Sequence, residues 1–146
     1  MPTLHRTVET TAEAEAVFAY LADFENATQW DSGTVTCVRL TGDGGPGTTY
    51  RNVSTFVGRT VELVYEVEAV EEPTFVIVGR NATTTTRDTI TVTPLPAGGS
   101  VVDYRAEFTF TGPARFLGPL MRPLLNRLGD QTAGQLARVL DSGAAR

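Results

Sequence analysis

Lysine is absent from this chain: all twelve basic residues among its 146 are arginine. That absence excludes a lysine Schiff base, a lysine-held pyridoxal phosphate and a P-loop, whose lysine must reach a nucleotide's phosphates. Cysteine and histidine occur once each, as Cys37 and His5. A lone cysteine cannot close an intramolecular disulfide, and beside one histidine it cannot build a zinc site, so no metal and no cofactor are implied. A Ser-His-Asp or Cys-His arrangement would have to use His5, which falls in the first predicted strand, ahead of any functional loop. Long apolar runs are also missing. Arg, Glu or Asp interrupts every apolar stretch well before the roughly 18 residues of a membrane span, and Met1-Pro2-Thr3-Leu4-His5-Arg6 lacks the charged-then-apolar design of a signal peptide. The expectation is a soluble, cytoplasmic protein with no stable membrane insertion. The three glycosylation sequons, at Asn26, Asn52 and Asn81, then read as chance matches. A net charge of −5 argues against nucleic acid as a partner. Arginine in place of lysine reads as the habit of a GC-rich bacterial genome.

What is present suits one domain spanning residues 1–146, long enough to bury about 70% of its unfolded surface without a disulfide or metal staple. Thr3 to Glu9 alternates weakly and reads as a strand. Thr10 and Glu13 have capping-box spacing, and Ala14, Val17, Phe18 and Leu21 then recur at helical intervals, predicting a helix over 12–22 and a short helical turn over Phe24 to Trp30. From residue 34 the period becomes two, and β-branched valine and threonine abound. Six strands are predicted, over 34–41, 47–56, 59–71, 74–81, 85–94 and 100–111. Turn chemistry at Gly42 to Gly47, Val57-Gly58, Glu72-Pro73 and Pro94 to Gly99 joins them into an antiparallel meander. An apolar stripe through Phe116, Leu117, Leu120, Met121, Leu124, Leu125, Leu128, Leu136, Val139 and Leu140 predicts a last helix, regular over 122–141, with Pro119 and Pro123 starting or kinking it. The fold class is α+β, in the order β-αα-β6-α, with helices segregated to one side of the sheet.

Two strands show the buried face plainly. Val61, Leu63, Tyr65, Val67 and Ala69 oppose Glu62, Glu66 and Glu68, and Val102, Tyr104, Ala106, Phe108 and Phe110 oppose Asp103, Arg105 and Glu107. Arg51, Arg80, Arg87 and Arg105 fall on the outer parity. Several polar residues share the inner parity: Asn52 and Ser54 with Tyr50 and Phe56, Asn81 with Phe75 and Ile77, Asp88 with Ile90 and Val92. A close-packed core penalises such groups, whereas a wet cavity accommodates them. Asn81 and Asp88 could instead lie at strand ends near solvent, and a register slip of one residue would reverse every assignment. Gly42-Asp43-Gly44-Gly45-Pro46-Gly47 matches G-x-G-x-x-G in letters, but Thr48-Thr49-Tyr50 continues as strand rather than helix, so the segment reads as a hairpin loop and not as a dinucleotide site.

Val17-Phe18-Ala19-Tyr20-Leu21-Ala22-Asp23-Phe24-Glu25-Asn26, followed by Trp30-Asp31, resembles the V-F/W…L-x-D…W signature of the START-like (SRPBCC) superfamily, and within it the polyketide cyclase/dehydrase-like group. Gly42-Asp43-Gly44 with Gly47-Thr48, Tyr65-Glu66-Val67 ahead of Pro73, and the leucine-rich last helix add to the resemblance, which covers nearly the whole chain. It implies a helix-grip fold: a curved seven-stranded antiparallel sheet around a long C-terminal helix, two short helices closing one end, and a deep cavity for hydrophobic molecules between them. Trp30 would lie near the helical end of that cavity. Gly118, Gly129 and Gly134, costly inside a helix, would mark breaks or make room near a ligand.

The leading expectation is a protein that binds a hydrophobic small molecule, polyketide-, lipid- or sterol-like, in a cavity lined by Trp30, Tyr50, Asn52, Phe56, Leu63, Tyr65, Asn81, Asp88, Tyr104, Phe108, Leu117, Met121 and Leu124. Such a pocket would enclose roughly 300–1,000 Å³. The alternative is an enzyme of polyketide cyclase/dehydratase type. Asp88 would then be the base, its pKa raised by desolvation, with Asn52, Asn81, Tyr65 and Tyr104 as donors. A second alternative is a protein-interaction module related to chaperone activators, which would carry an exposed apolar or charged patch outside the cavity. A homodimer is compatible with all three.

Overall fold

In the computed structural model, which describes residues 2–113 and 118–145, the chain runs β1 (Thr3–Thr10), α1 (Ala14–Ala22), a 3₁₀ turn (Phe24–Asn26), α2 (Ala27–Trp30) and β2 (Thr34–Thr41). It continues through β3 (Thr49–Phe56), β4 (Arg59–Glu71), β5 (Thr74–Arg80), β6 (Thr84–Pro94), β7 (Ser100–Phe110) and α3 (Gly118–Asp141). The strands form one antiparallel sheet in the order β1-β7-β6-β5-β4-β3-β2, curved about α3. Consecutive strands pair from β2 to β7 because their connections are short. The first strand closes the far edge against β7 in unbroken register, from Thr3 opposite Glu107 to Thr10 opposite Ser100. Among the described residues no helix is long and apolar enough to cross a membrane.

Three local expectations are corrected. The capping box at Thr10 and Glu13 does not form: Glu13 is the N-cap without a side-chain cap, and α1 begins at Ala14. Thr10 Oγ1 instead donates to Asp141 Oδ1 on α3 (2.7 Å) and accepts from the Ala12 backbone N–H. The parity of β4 also changes along its length. Val67 pairs with Ile77, but the next pair is Ala69 with Val76, so Glu68 is an extra residue and a bulge. Beyond it Val70, opposite Phe75, packs on the core and Ala69 does not. Lastly, α3 is continuous from Gly118. Pro119 stands in its first turn, where an N–H would have no partner, and Pro123 costs one bond a turn later without ending the helix.

The core lies at one end of the sheet. Val17, Phe18, Leu21, Phe24, Ala27 and Trp30 from the first helical segments join Phe75, Ile77, Ile90, Val92 and Val102 of the sheet and Leu136 and Leu140 of α3. The loop at Gly42 to Gly47 is a hairpin connection, held by the Gly44 N–H donating to Thr48 Oγ1 (2.8 Å) and feeding β3. At the sheet's outer edge, β2 exposes Val35, Val38 and Leu40, and Glu25 Oε2 accepts from the unpaired Arg39 N–H (2.9 Å).

Candidate functional site

The packed core leaves the opposite half of the sheet, under the first turns of α3, lined but not filled. α3 contributes Met121, Leu125, Leu128, Gly129, Thr132, Ala133 and Leu136 to this cavity, one stripe at helical spacing. β1 contributes Leu4, Arg6 and Val8; β3 and β4 contribute Ser54, Thr55, Phe56, Val61, Leu63 and Tyr65; β6 and β7 contribute Thr84, Thr86, Asp88, Tyr104, Phe108 and Phe110. Asp31 and Gly33, between α2 and β2, complete the wall. The enclosed volume is about 190 Å³. That is smaller than the roughly 300–1,000 Å³ expected.

The walls are chiefly apolar, and part of the lining is a hydrogen-bonded polar cluster about Asp88 and Asp31. Asp88 is buried: its Oδ1 accepts from Thr86 Oγ1 (2.7 Å) and its Oδ2 from the Tyr104 hydroxyl (2.9 Å). Burial pushes its pKa up to about 6, against the opposing effect of those two hydrogen bonds, with a smaller upward push from the Asp31 charge. Burial and the Asp88 and Asp31 charges hold the Tyr65 and Tyr104 hydroxyls well above the usual phenol range, so both stay protonated donors. Asp31 is anchored by three donors: the Gly33 N–H (3.3 Å) and Thr132 Oγ1 (3.1 Å) at Oδ1, and Thr34 Oγ1 (2.8 Å) at Oδ2. That knot ties the α2–β2 junction to α3.

The structure brings together only part of the residue set expected from the sequence. Phe56, Leu63, Tyr65, Asp88, Tyr104, Phe108 and Met121 line the cavity. Trp30 does not. It stands one layer behind, its ring 5.9 Å from that of Tyr104 and 6.3 Å from that of Phe24. Tyr50 is core packing against Phe24. Asn52 shares the inner parity but is consumed locally, donating to Thr34 Oγ1 (3.1 Å) and accepting from Ser54 Oγ (2.6 Å). Asn81 lies past the end of β5, exposed, its Oδ1 accepting from the Thr83 and Thr84 N–H groups to cap the β5–β6 turn. Leu124 is 37% exposed and falls at the outer edge of the stripe that lines the cavity through 121, 125 and 128. Leu117 lies outside the described residues.

Several lining residues escaped the sequence reading. Asp31 was visible only as part of a structural motif. Arg6 alternates with Leu4 and Val8 and so had an inward parity, yet β1 was the most weakly patterned strand. Its guanidinium is not free for a ligand: Nε donates to Asp130 Oδ1 (2.9 Å) and Nη2 to the Asn126 carbonyl (3.1 Å), both on α3. Gly129 makes room rather than a break, since a Cβ there would overlap Leu4.

The fold agrees with what comparison finds. A family model described as polyketide cyclase/dehydrase and lipid transport matches residues 1–141. A search among curated proteins finds no match. Among solved structures, a protein from Thermus thermophilus superposes with a TM-score of 0.82 at 17% identity, covering 98% of this chain and 99% of the other. A START superfamily protein from Mycobacterium smegmatis gives 0.81 at 19% identity, covering 96% and 97%. An aromatase/cyclase from a Streptomyces species gives 0.77 at 15% identity, covering 98% and 92%. At such identities the structural likenesses speak for the fold, and the family match over residues 1–141 speaks for descent: the chain belongs to the polyketide cyclase/dehydrase and lipid transport family.

Proposed function

We propose that this protein binds a hydrophobic small molecule in the cavity between sheet and α3. The ligand's apolar body would lie against Phe56, Leu63, Phe108, Met121 and Leu125, and its polar end against Asp88, Tyr104 and Tyr65. One observation carries the reading: an apolar-walled space of about 190 Å³ ends in a buried cluster of polar groups. A pocket with this division of labour gains affinity from its walls and orientation from its few polar groups. The volume suits a small aromatic or short aliphatic body, and a longer lipid or polyketide would extend beyond it. Native mass spectrometry of the gently purified protein tests this. Wild type is expected to carry or take up apolar small molecules, and Leu63→Trp, which fills the cavity, to lose them while remaining folded. Equal uptake by both proteins sinks the reading.

A cyclase/dehydratase-type activity is favoured by one further feature, the Asp88 carboxylate. It faces the cavity with a pKa of about 6, close to the neutral range in which a general base works best. Asp88→Asn would then abolish turnover of a β-ketone substrate while retaining its binding. Unchanged turnover removes the base from this mechanism.

A further inference from the structure

We propose that the cavity selects a hydrophobic primary amine, bound as its ammonium ion between the Asp88 and Asp31 carboxyl groups and the Tyr65 hydroxyl. The proposal rests on the cavity-binding reading above and names the chemical class it takes. The polar floor has a marked imbalance of hydrogen-bonding capacity. A carboxylate offers about four acceptor sites. Asp88 uses one for Thr86 and one for Tyr104, and Asp31 uses three, for Gly33, Thr34 and Thr132. Acceptor sites are therefore left over on both. The Tyr104 hydroxyl has already spent its proton on Asp88. Tyr65 is independent of this network: it is 8% exposed, lines the cavity, and its hydroxyl has no hydrogen-bond partner among the described residues. Its hydroxyl opens onto the cavity rather than being sealed in the packing, and so stands available to a ligand's polar group.

Charge points the same way. The charged or titratable groups facing Asp88 are Asp31 from the α2–β2 junction, Tyr65 from β4, Tyr104 from β7 and Arg6 from β1; α3 presents Thr132 but no charged side chain to the lining. Arg6 is held by Asp130, so among the described lining residues no free cation remains to receive a carboxylate. A fatty acid would bring a third carboxylate to a floor that has two, whereas an ammonium brings three donors and the opposite charge. The aromatic rings of Tyr65 and Tyr104 also suit a cation.

Titration calorimetry with octylamine, octanol and octanoate tests this, because the three share one chain and differ only at the head. At about pH 7.5 octylamine is expected to bind at least about ten-fold more tightly than octanoate, which corresponds to about 1.4 kcal/mol. The amine's advantage over octanol should shrink as pH falls below about 6 and Asp88 takes up a proton. Asp88→Asn should reduce the same advantage, and Asp43→Asn, on the β2–β3 loop, should not. The pH series uses wild type, so it decides the matter even where Asp88→Asn folds poorly. Octanoate binding as tightly as octylamine overturns the amine assignment and leaves cavity binding standing. No heat from any of the three overturns both.

Discussion

The Tyr65 ring occupies the space where a side chain at position 79 would stand: a Cβ on Gly79 would lie 2.7 Å from ring carbons Cε1 and Cζ. The two residues are direct partners in the β4–β5 register, and the missing side chain lets the ring settle across β5 with its hydroxyl at the cavity floor. Gly79→Ala is therefore expected to cost about 1–3 kcal/mol by overpacking, read from the urea midpoint, and to weaken ligand binding. In a Tyr65→Leu background the penalty should shrink, since the two changes share one contact. An equal penalty in both backgrounds would place the cause in the backbone instead.

Asp88 makes stability depend on pH in an unusual direction. Its folded pKa, about 6, lies above the ordinary value of 3.8, so the folded protein holds this proton more tightly than the unfolded chain does. Its contribution to stability is greatest below about pH 4, falls as pH rises towards 6, and stays low above that. Asp88→Asn keeps an oxygen to accept from Tyr104 and removes the buried charge. It should gain about 1–3 kcal/mol near neutral pH and little near pH 4. Urea unfolding at both pH values measures the difference. A gain that does not change with pH would falsify the desolvation account.

Two glycines of α3 should respond oppositely to the same substitution. At Gly134 the nearest atom to an added Cβ is Arg138 Nη1, 3.5 Å away, so Gly134→Ala is expected to gain about 0.5–1 kcal/mol from helix propensity. At Gly129 the Cβ would overlap Leu4, which is buried between β1 and α3. The clash there should outweigh the same gain. Thermal midpoints of the two variants, one raised and one lowered, are the check.

The β3–β4 hairpin, next to the cavity-lining Phe56, carries a strained residue. Val57 has φ 53° and Gly58 φ 73°, linking the paired Phe56 and Arg59 by a turn with both central residues in the left-handed region. A β-branched residue is poorly suited to that conformation, and Val57 gains little from packing, being 62% exposed. Val57→Asn produces the favoured Asn-Gly pair and should stabilise the fold by about 1 kcal/mol. Unchanged stability would show that the turn adapts to valine at no cost.

Strand and helix boundaries were readable from the chain because period-two alternation, glycine and proline punctuation and helical spacing are local. β2 and β4 appear with the bounds their patterning predicts. Inward parity also placed Asp88, Tyr65 and Tyr104 on the concave face. Parity could not say which inward residues meet a void and which meet a neighbour. Asn52 is satisfied by Thr34 and Ser54, and Tyr50 by Phe24, because α2 and the 3₁₀ turn fill that end of the sheet. The extra residue at Glu68, which exchanges Ala69 for Val70, leaves no mark in a string of valines and glutamates.

The amino-acid pattern determined the order of elements, the concave face and the absence of lysine chemistry, since each depends on residues close in sequence or on composition. The assembly of the cavity floor depended on distant segments. Asp31, Asp88, Tyr104 and Thr132 come from the α2–β2 junction, two strands and the last helix, and they converge through sheet pairing and the rotation of α3. Arg6, the one arginine among the described cavity-lining residues, is neutralised by Asp130, more than a hundred residues away. The arginines of β3, β5, β6 and the middle of β7 remain on the outer surface, as their parity requires. The chemistry left to the interior is that of carboxyl, hydroxyl and aromatic groups, and their arrangement is a property of the packed chain.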